Sequence, residues 1–226
     1  MRRLILAASL LALAAAPASA AERRWPIATV DRLRVETPAT VRVVVAASGG
    51  AGTGVSASAA DPAALDTLRV EASGGTLVLR GGAASAGAVV TVVAPRLTAV
   101  AVYAAARVTI AAMRGERVEL SAAAGSIDVA ALDAARLSAT LAGDATVTLA
   151  GRSPDATLIA NGIGTIDARA LATQRLTVRG AGDSIVRGAA SQAATVVAIQ
   201  NAQVSVSGRP RCEMRAVPPA SATCGR

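Results

Sequence analysis

The sequence predicts an all-β protein: a single-domain parallel β-solenoid (β-helix) of about six coils, capped at both ends. Short segments of alternating apolar and polar residues recur every 19–20 residues, which is the first observation behind this prediction. The second is the composition: 53% of the 226 residues are hydrophobic, yet the chain has no Phe, one Trp and one Tyr. A core of Val, Ile, Leu and Ala suits a narrow interior better than a thick sandwich, which usually recruits aromatic residues.

Two series of β-like segments carry the repeat. The first series starts at Val108, Ile127, Val147, Ile166, Ile185 and Val204, and the second at Val118, Leu137, Ala156, Leu176 and Thr195. Alternation within each segment indicates a strand with one buried face, and stacking equivalent strands buries a continuous apolar column. Arg187 is an exception, because it stands where its column calls for an apolar residue. The general rule for parallel crossovers favours a right-handed solenoid.

An antiparallel sandwich is the alternative fold, because short strands every 8–12 residues are typical of sandwiches as well. The constant interval separates the two, since a sandwich has no reason to keep it. The glycines of "RLTVRGAGDSIVRG" fit the same scheme. Gly180 and Gly182 lead from one β-like run into another, whereas phosphate-binding loops lead from a strand into a helix. Asp144 and Asp183 are expected to cap such turns.

The N-terminus resembles an export signal. Arg2 and Arg3 precede an apolar run from 4 to 16, and Ala18-Ser19-Ala20 fits a cleavage pattern, which places cleavage between Ala20 and Ala21. The run is shorter than the ~20 residues that span a bilayer, so a membrane anchor is the less favoured alternative. We therefore expect a periplasmic, cell-surface or extracellular protein with no membrane span in the mature chain.

The rest of the chain divides into three parts. Residues 21–95 are predicted to form an N-terminal β segment and cap, 96–208 the repeat coils, and 209–226 a C-terminal cap. The only cysteines, Cys212 and Cys224, lie in that last part. A disulfide is expected between them after export, because two thiols without any His cannot complete a tetrahedral zinc site.

Charge restricts the choice of partners. Removing residues 1–20 takes away two of the 23 Arg and leaves 21 against 15 acidic residues, a net charge of +6. This balance weakly favours an anionic polysaccharide, an envelope surface or a protein partner. Nucleic acid is not expected, since the chain is exported and lacks aromatic residues for base stacking. No cofactor or metal is expected either.

Candidate catalytic residues are few. Asp128 and Asp167 share the outward position two coils apart, roughly 9–10 Å from the strand spacing, near the upper end of the separation in inverting glycosidases. Thr148 lies between them, and without His a Ser-His-Asp triad is impossible. We expect a solvated polar face and no enzyme. A polysaccharide lyase or hydrolase is the alternative.

A second outward column contains Arg117, Arg136, Asp155 and Arg175. The three arginines form a tentative anion-binding column for acidic polysaccharide or lipid head groups. Because Asp155 interrupts the series, a salt-bridged surface ladder is the competing interpretation.

Four stretches are distinctive: "LDTLRVEASGGTLVLRG" from Leu65, "APRLTAVAVYAAARVTI" from Ala94, "RLTVRGAGDSIVRG" from Arg175 and the terminal "VSVSGRPRC…CG". Together they resemble the bacterial putative auto-transporter adhesin head (GIN) domain family. The resemblance covers about 30–225, although Ala replaces Gly in several turns. It implies an exported, envelope-associated β-solenoid with an adhesive or binding role and no catalytic residues to transfer. A purely structural or self-associating module remains a third possibility.

Overall fold

The computed structural model describes residues 21–27, 29–46 and 53–225, and it is almost entirely β. The export signal predicted for residues 1–20 therefore lies outside the described residues, and Ala21 begins the first strand. The strands are β1 (Ala21–Pro26), β2 (Arg32–Glu36), β3 (Thr40–Val45), β4 (Gly54–Ala59), β5 (Arg69–Ser73), β6 (Thr76–Arg80), β7 (Val89–Ala94), β8 (Ala99–Val102), β9 (Arg107–Ile110), β10 (Met113–Arg152), β11 (Asp155–Gly162), β12 (Thr165–Ala172), β13 (Arg175–Gly182), β14 (Ile185–Ala190), β15 (Ala193–Ala198), β16 (Gln203–Gly208), β17 (Arg211–Ala216) and β18 (Ser221–Cys224).

Two hydrogen-bonded ladders form the two long sides of the molecule. Side A consists of β5, β6, β2, β8, residues 119–122 and 136–143 of β10, β11, β13, β15 and β17. Side B consists of β1, β4, β7, β3, β9, residues 126–129 and 146–152 of β10, β12, β14, β16 and β18. From β2 and β3 onward every pairing between successive coils is parallel, so the architecture is the predicted solenoid.

Alternating side chains place the core between the two sides. In β13, Leu176 and Val178 are buried, while the alternate residues Thr177 and Arg179 face outward. Leu176 lies in register with Ala156, which lies in register with Leu137, so one apolar column runs through successive coils. The buried residues form one cluster of Val, Leu, Ile and Ala with a single Met and no aromatic residue. The sequence prediction of an aliphatic interior is confirmed for the described residues.

The six predicted coils are present. They are β8–β9, two coils within the 40-residue β10, β11–β12, β13–β14 and β15–β16. The C-terminal strands continue both ladders, because β17 pairs with β15 and β18 pairs with β16.

The repeat length differs from the sequence prediction in the later coils. Leu176 lies in register with Ala194, and Val186 with Val204, so these coils advance by 18 residues and not 19. Thr195, expected in the inner column, therefore faces outward beside Thr177. Ile185 and Val186 are adjacent and both apolar, so the sequence pattern could not choose between them. With Val186 inside, Arg187 occupies an ordinary outward position beside Asp167 and is no exception to the repeat.

The N-terminal coil is inserted out of sequence order. β2 pairs on one edge with β6 and on the other with β8, and β3 pairs likewise with β7 and β9. The coil made first along the chain thus lies between two coils made later.

Antiparallel strands and a short helix cover the N-terminal end of the stack. β5 pairs antiparallel with β6, β4 with β7, and β1 with β4. The helix α1 (Pro62–Asp66) starts with Pro62 after Asp61, whose carboxylate accepts a hydrogen bond from the backbone N–H of Ala63 at 2.9 Å. A 3₁₀ segment follows at Ala83–Gly87. Within the described ranges, no helix has the length and apolar character needed to cross a membrane.

A disulfide joins the two sides at the C-terminal coil. Cys212 in β17 lies in register with buried Ala194, and Cys224 in β18 lies in register with buried Val206. Both cysteines therefore occupy inward positions, and the bond connects strands that no backbone ladder joins directly. Met214, also inward in register with Val196, is 51% exposed because no further coil covers it within the described chain.

Glycines allow the chain to turn the corners of the stack. The stretch around Gly182 forms a strand, a corner and another strand, as the sequence predicts. Gly182 has a φ of +73°, and a Cβ there would lie 2.5 Å from the carbonyl oxygen of Gly162, its register partner one coil away. Only glycine satisfies both the left-handed backbone and this close approach.

Replacing Gly182 by Ala should therefore lower the free energy of unfolding by at least about 1–2 kcal/mol, the cost of a left-handed non-glycine residue. Thermal and urea unfolding of the purified protein measure the change. Gly87→Ala is the matched control, because a Cβ at Gly87 meets no atom within 4 Å and its φ is not positive. Equal stability of the two variants would contradict the role of the corner.

Removing the disulfide should loosen the C-terminal coil selectively. The two cysteines are 12 positions apart, and closing a loop of that size contributes about 2–3 kcal/mol. In the double variant Cys212→Ala/Cys224→Ala, amide hydrogens of β17 and β18 should exchange faster, while those of β11 keep their protection because repeats contact only their neighbours. Hydrogen exchange read by mass spectrometry checks this. Uniform loss of protection along the whole solenoid would refute it.

Candidate functional site

The predicted arginine column is divided by an ion pair. Asp155 lies in register between Arg136 and Arg175 on side A. Its carboxylate accepts two hydrogen bonds from Arg175, from Nε to Oδ1 at 2.5 Å and from Nη2 to Oδ2 at 2.7 Å. Both side chains are substantially solvent-exposed, so the pair stabilises the fold only weakly. Arg175 is thus engaged within the protein, as the interpretation of a salt-bridged ladder requires.

Electrostatics at this pair follow from its geometry. The hydrogen bonds from Arg175 are the main cause that lowers the pKa of Asp155 below its ordinary value, and the charges of Arg175 and then Arg136 lower it further. Arg136 is exposed and forms no ion pair among the described residues. It therefore acts on Asp155 at longer range.

The two aspartates considered for catalysis do not form a pair. Asp167 lies in register with Thr148 of the preceding coil, and Asp128 lies in register with Thr109 of the coil that precedes its own. Asp167 is held by Arg169, whose Nη2 donates to Oδ2 at 2.6 Å, and this hydrogen bond lowers the pKa of Asp167. Asp128 is exposed.

The turn aspartates also differ in their surroundings. Asp144 is exposed. Asp183 accepts a hydrogen bond from the side-chain amide of Asn201 at 2.6 Å, so it links two coils at the corner. Among the described residues, no three Cys, Asp or Glu side chains come together as a candidate metal site.

A groove that the sequence did not reveal lies along side A over β8. We call it the β8 groove. Ala99 and Ala101 form its floor, Arg32 and Arg34 of β2 form one wall, and Glu119 and Ser121 of β10 form the other. Arg96 and Arg117 lie at one end and Tyr103 lies at the other. Two adjoining cavities of about 420 and 410 Å³ make up the groove.

The groove exists because β8 carries small outward side chains between strands with longer ones. Ala99 lies in register with Arg32 on one edge and Glu119 on the other, and Ala101 lies between Arg34 and Ser121. Strands in a sheet are about 4.8 Å apart, so the two walls are about 10 Å apart across this floor. Among the described strands of side A from β6 to β17, only β8 has Ala at both of these outward positions.

A chain of contacts that joins Tyr103, which follows β8, to β2, β6 and β5 anchors one wall. The Arg34 guanidinium lies over the Tyr103 ring, with Cζ 4.6 Å from the ring centroid, and its Nε donates to Glu36. Glu36 also accepts a hydrogen bond from Arg80 at 2.9 Å, and Arg80 donates to Glu71 at 2.8 Å. The hydrogen bond from Arg80 is the largest cause of the lowered pKa of Glu36. These contacts fix the positions of Arg34 and Tyr103.

The other arginines of the β8 groove are not engaged in this way. Arg32, Arg96 and Arg117 are exposed, and none forms an ion pair within the described part of the chain. Arg117 of the predicted arginine column therefore lies at this groove with Arg32 and Arg96, whereas Arg175 of the same column is paired with Asp155. The single Tyr of the chain is the one feature of the sequence that could have pointed to this site. Its neighbour Arg34 comes close only because β2 inserts beside β8.

Replacing Arg175 by Gln should raise the pKa of Asp155 towards its ordinary value, because the dominant hydrogen bonds disappear. Asp155 has a lowered pKa in the folded state, so the pair stabilises the fold above the ordinary range of an aspartate and loses that contribution as the pH falls through the lowered pKa. A carboxyl ¹³C NMR titration measures the shift. Arg179→Gln is the control and should leave Asp155 unchanged; an unaltered titration in Arg175→Gln would contradict the assignment.

Solved structures of other proteins have the same fold. The chain is similar to a putative adhesin from Bacteroides fragilis, with a TM-score of 0.77 and 14% identity over 92% of this chain and 96% of that one. It is also similar to a putative lipid binding protein from Parabacteroides distasonis, with a TM-score of 0.70 and 14% identity over 92% and 97% of the two chains. At this identity the similarities show the fold alone.

No curated protein matches the sequence. The family model described as "Putative auto-transporter adhesin, head GIN domain" matches residues 32–210, which include β2, the β8 groove and every repeat coil up to β16. The resemblance found in the sequence is thus confirmed, and the chain belongs to the family of putative auto-transporter adhesin head (GIN) domain proteins.

Proposed function

We propose that this chain is exported and serves as a non-catalytic, adhesin-like binding scaffold of the cell envelope. Two observations support export: the signal-like residues 1–20 and the Cys212–Cys224 disulfide, since such bonds persist in oxidising compartments. Membership of an adhesin-like family supports the binding role.

The observation that carries the binding role is the surplus of unpaired arginine. The described ranges contain 20 Arg and 15 acidic residues, and seven of each form the ion pairs, which leaves 13 Arg against eight acids. A rigid scaffold with this excess attracts anionic surfaces and polymers. Arg has five donors in a planar fork, which suits carboxylate, sulfate or phosphate groups.

The contacts of the candidate catalytic residues support a non-catalytic role. A general acid needs a raised pKa near the working pH, whereas Arg169 lowers the pKa of Asp167. Asp128 and Asp167 are also separated by the coil that carries Thr148. Nothing in these contacts favours the alternative of a polysaccharide lyase or hydrolase.

Expression of the full chain with a C-terminal tag in a bacterial host tests export. Mass spectrometry should find a mature N-terminus at Ala21, and cysteine alkylation should find both thiols oxidised. The matched variant lacking residues 2–20 should stay inside the cell with free thiols. Protease added to intact cells then distinguishes the surface from the periplasm. An uncleaved, reduced full-length protein would overturn the proposal of export.

Purified mature protein tests the binding role. It should sediment with isolated envelope fragments, and more weakly at high salt, because screening reduces contacts between exposed charges. Incubation with neutral and uronic-acid polysaccharides should release no reducing ends or unsaturated products. Product release that is lost in Asp128→Ala would establish an enzyme. Absence of any envelope binding would leave a structural or self-associating module.

A further inference from the structure

We propose that the β8 groove binds an acidic saccharide, a chain of sugar rings that carry carboxylates. This inference rests on the proposed function, because it names the ligand class for a binding scaffold. It is carried by three features of the groove that act together: an open alanine floor, a mixed set of unpaired charges and a fixed aromatic ring.

The floor provides space of suitable size. Ala99 and Ala101 leave a trough between two flanking strands whose backbones are about 10 Å apart, by the spacing of strands. From Ala99 to Tyr103 the backbone advances by up to about 13 Å. A short run of sugar rings fits such a trough along β8, whereas a bulky protein element would meet Arg32 and Glu119 at the rim.

The charges favour a saccharide over a simple polyanion. Arg32, Arg96 and Arg117 offer unengaged guanidinium forks, which bind carboxylates with two parallel hydrogen bonds. Glu116 and Glu119 line the same cavity and form no ion pair among the described residues. These carboxylates repel any anion, so they most disfavour a ligand that is densely charged and has no hydroxyl groups, whereas they accept hydrogen bonds from sugar hydroxyls. A ligand that carries both carboxylates and hydroxyls uses both kinds of side chain.

Tyr103 provides the apolar contact that a sugar ring needs. Its side chain is 49% exposed at the end of the groove, and the Arg34 guanidinium against its ring is tied to Glu36. The Tyr103 backbone N–H donates to the Val35 carbonyl at 2.9 Å, which extends the ladder beyond β8. A ring held this way is preorganised, so little side-chain entropy is lost when a sugar packs its C–H face on it.

Hydroxyl groups continue the polar lining. Ser121, Ser138 and Thr140 lie on the side of the groove away from β2 and border the cavity that contains Tyr103. Hydroxyls both donate and accept hydrogen bonds, as sugar hydroxyls do. The lining therefore matches the hydroxyls of the ligand at one wall while the arginines match its carboxylates.

Calorimetry with the mature protein and an oligogalacturonate tests the inference, with the uncharged galactose oligomer of equal length and a polyphosphate as comparison ligands. The oligogalacturonate should bind most tightly. Ala101→Leu fills the floor without changing the charge, and Tyr103→Ala removes the ring; each should weaken binding about tenfold or more. Circular dichroism confirms that each variant is folded.

Two variants serve as matched controls on the same side. Ala193→Leu places the same bulk at an outward alanine of β15, and Arg179→Gln removes an unpaired arginine of β13. Both should bind as the unmodified protein does. Equal binding by all variants, tighter binding of polyphosphate, or no binding of oligogalacturonate would overturn the inference. The general binding role is read separately from sedimentation with envelope fragments, so its failure and the failure of the groove are distinguishable.

Discussion

The structure depends on one constraint. The strands of successive coils must pair in a parallel arrangement, in a register that aligns their apolar side chains. The inner columns satisfy it with Val, Leu, Ile and Ala. At the corners, the backbone of one coil lies so close to the backbone of the next that a side chain has no room. Gly162 and Gly182 are glycine for that reason.

The same constraint frees the outward positions. Because the core requires nothing of them, their side chains can differ from coil to coil, and side A changes character along its length. In the middle it carries hydroxyls and the Asp155–Arg175 pair, which neutralises its own charge. Near β8 it carries unpaired arginines beside a groove. A uniform scaffold thus presents different outward side chains from coil to coil.

The sequence contains the repeat but not the order of all its coils. Alternation and spacing were sufficient for the solenoid, composition for the aliphatic core, and the two cysteines of an expected exported chain for the disulfide, because none of these depends on which distant segments meet. Two adjacent apolar residues, Ile185 and Val186, made the later register ambiguous. The β8 groove was beyond reach, since Arg32 and Ala99 become neighbours only when β2 inserts beside β8, and no local pattern encodes that pairing.

This insertion also sets an order of assembly. Strands of the repeat pair with partners 18–20 positions away, whereas Arg32 of β2 meets Thr76 and Ala99, which are 44 and 67 positions further along the chain. Contacts between distant segments cost more loop-closure entropy and form later than local ones. The repeat coils can therefore pair with one another first, and the free edge of β8 and β9 is then available to pair with β2 and β3. The first coil to be synthesised is therefore expected to dock last, and the groove is complete only once β2 has paired with β8.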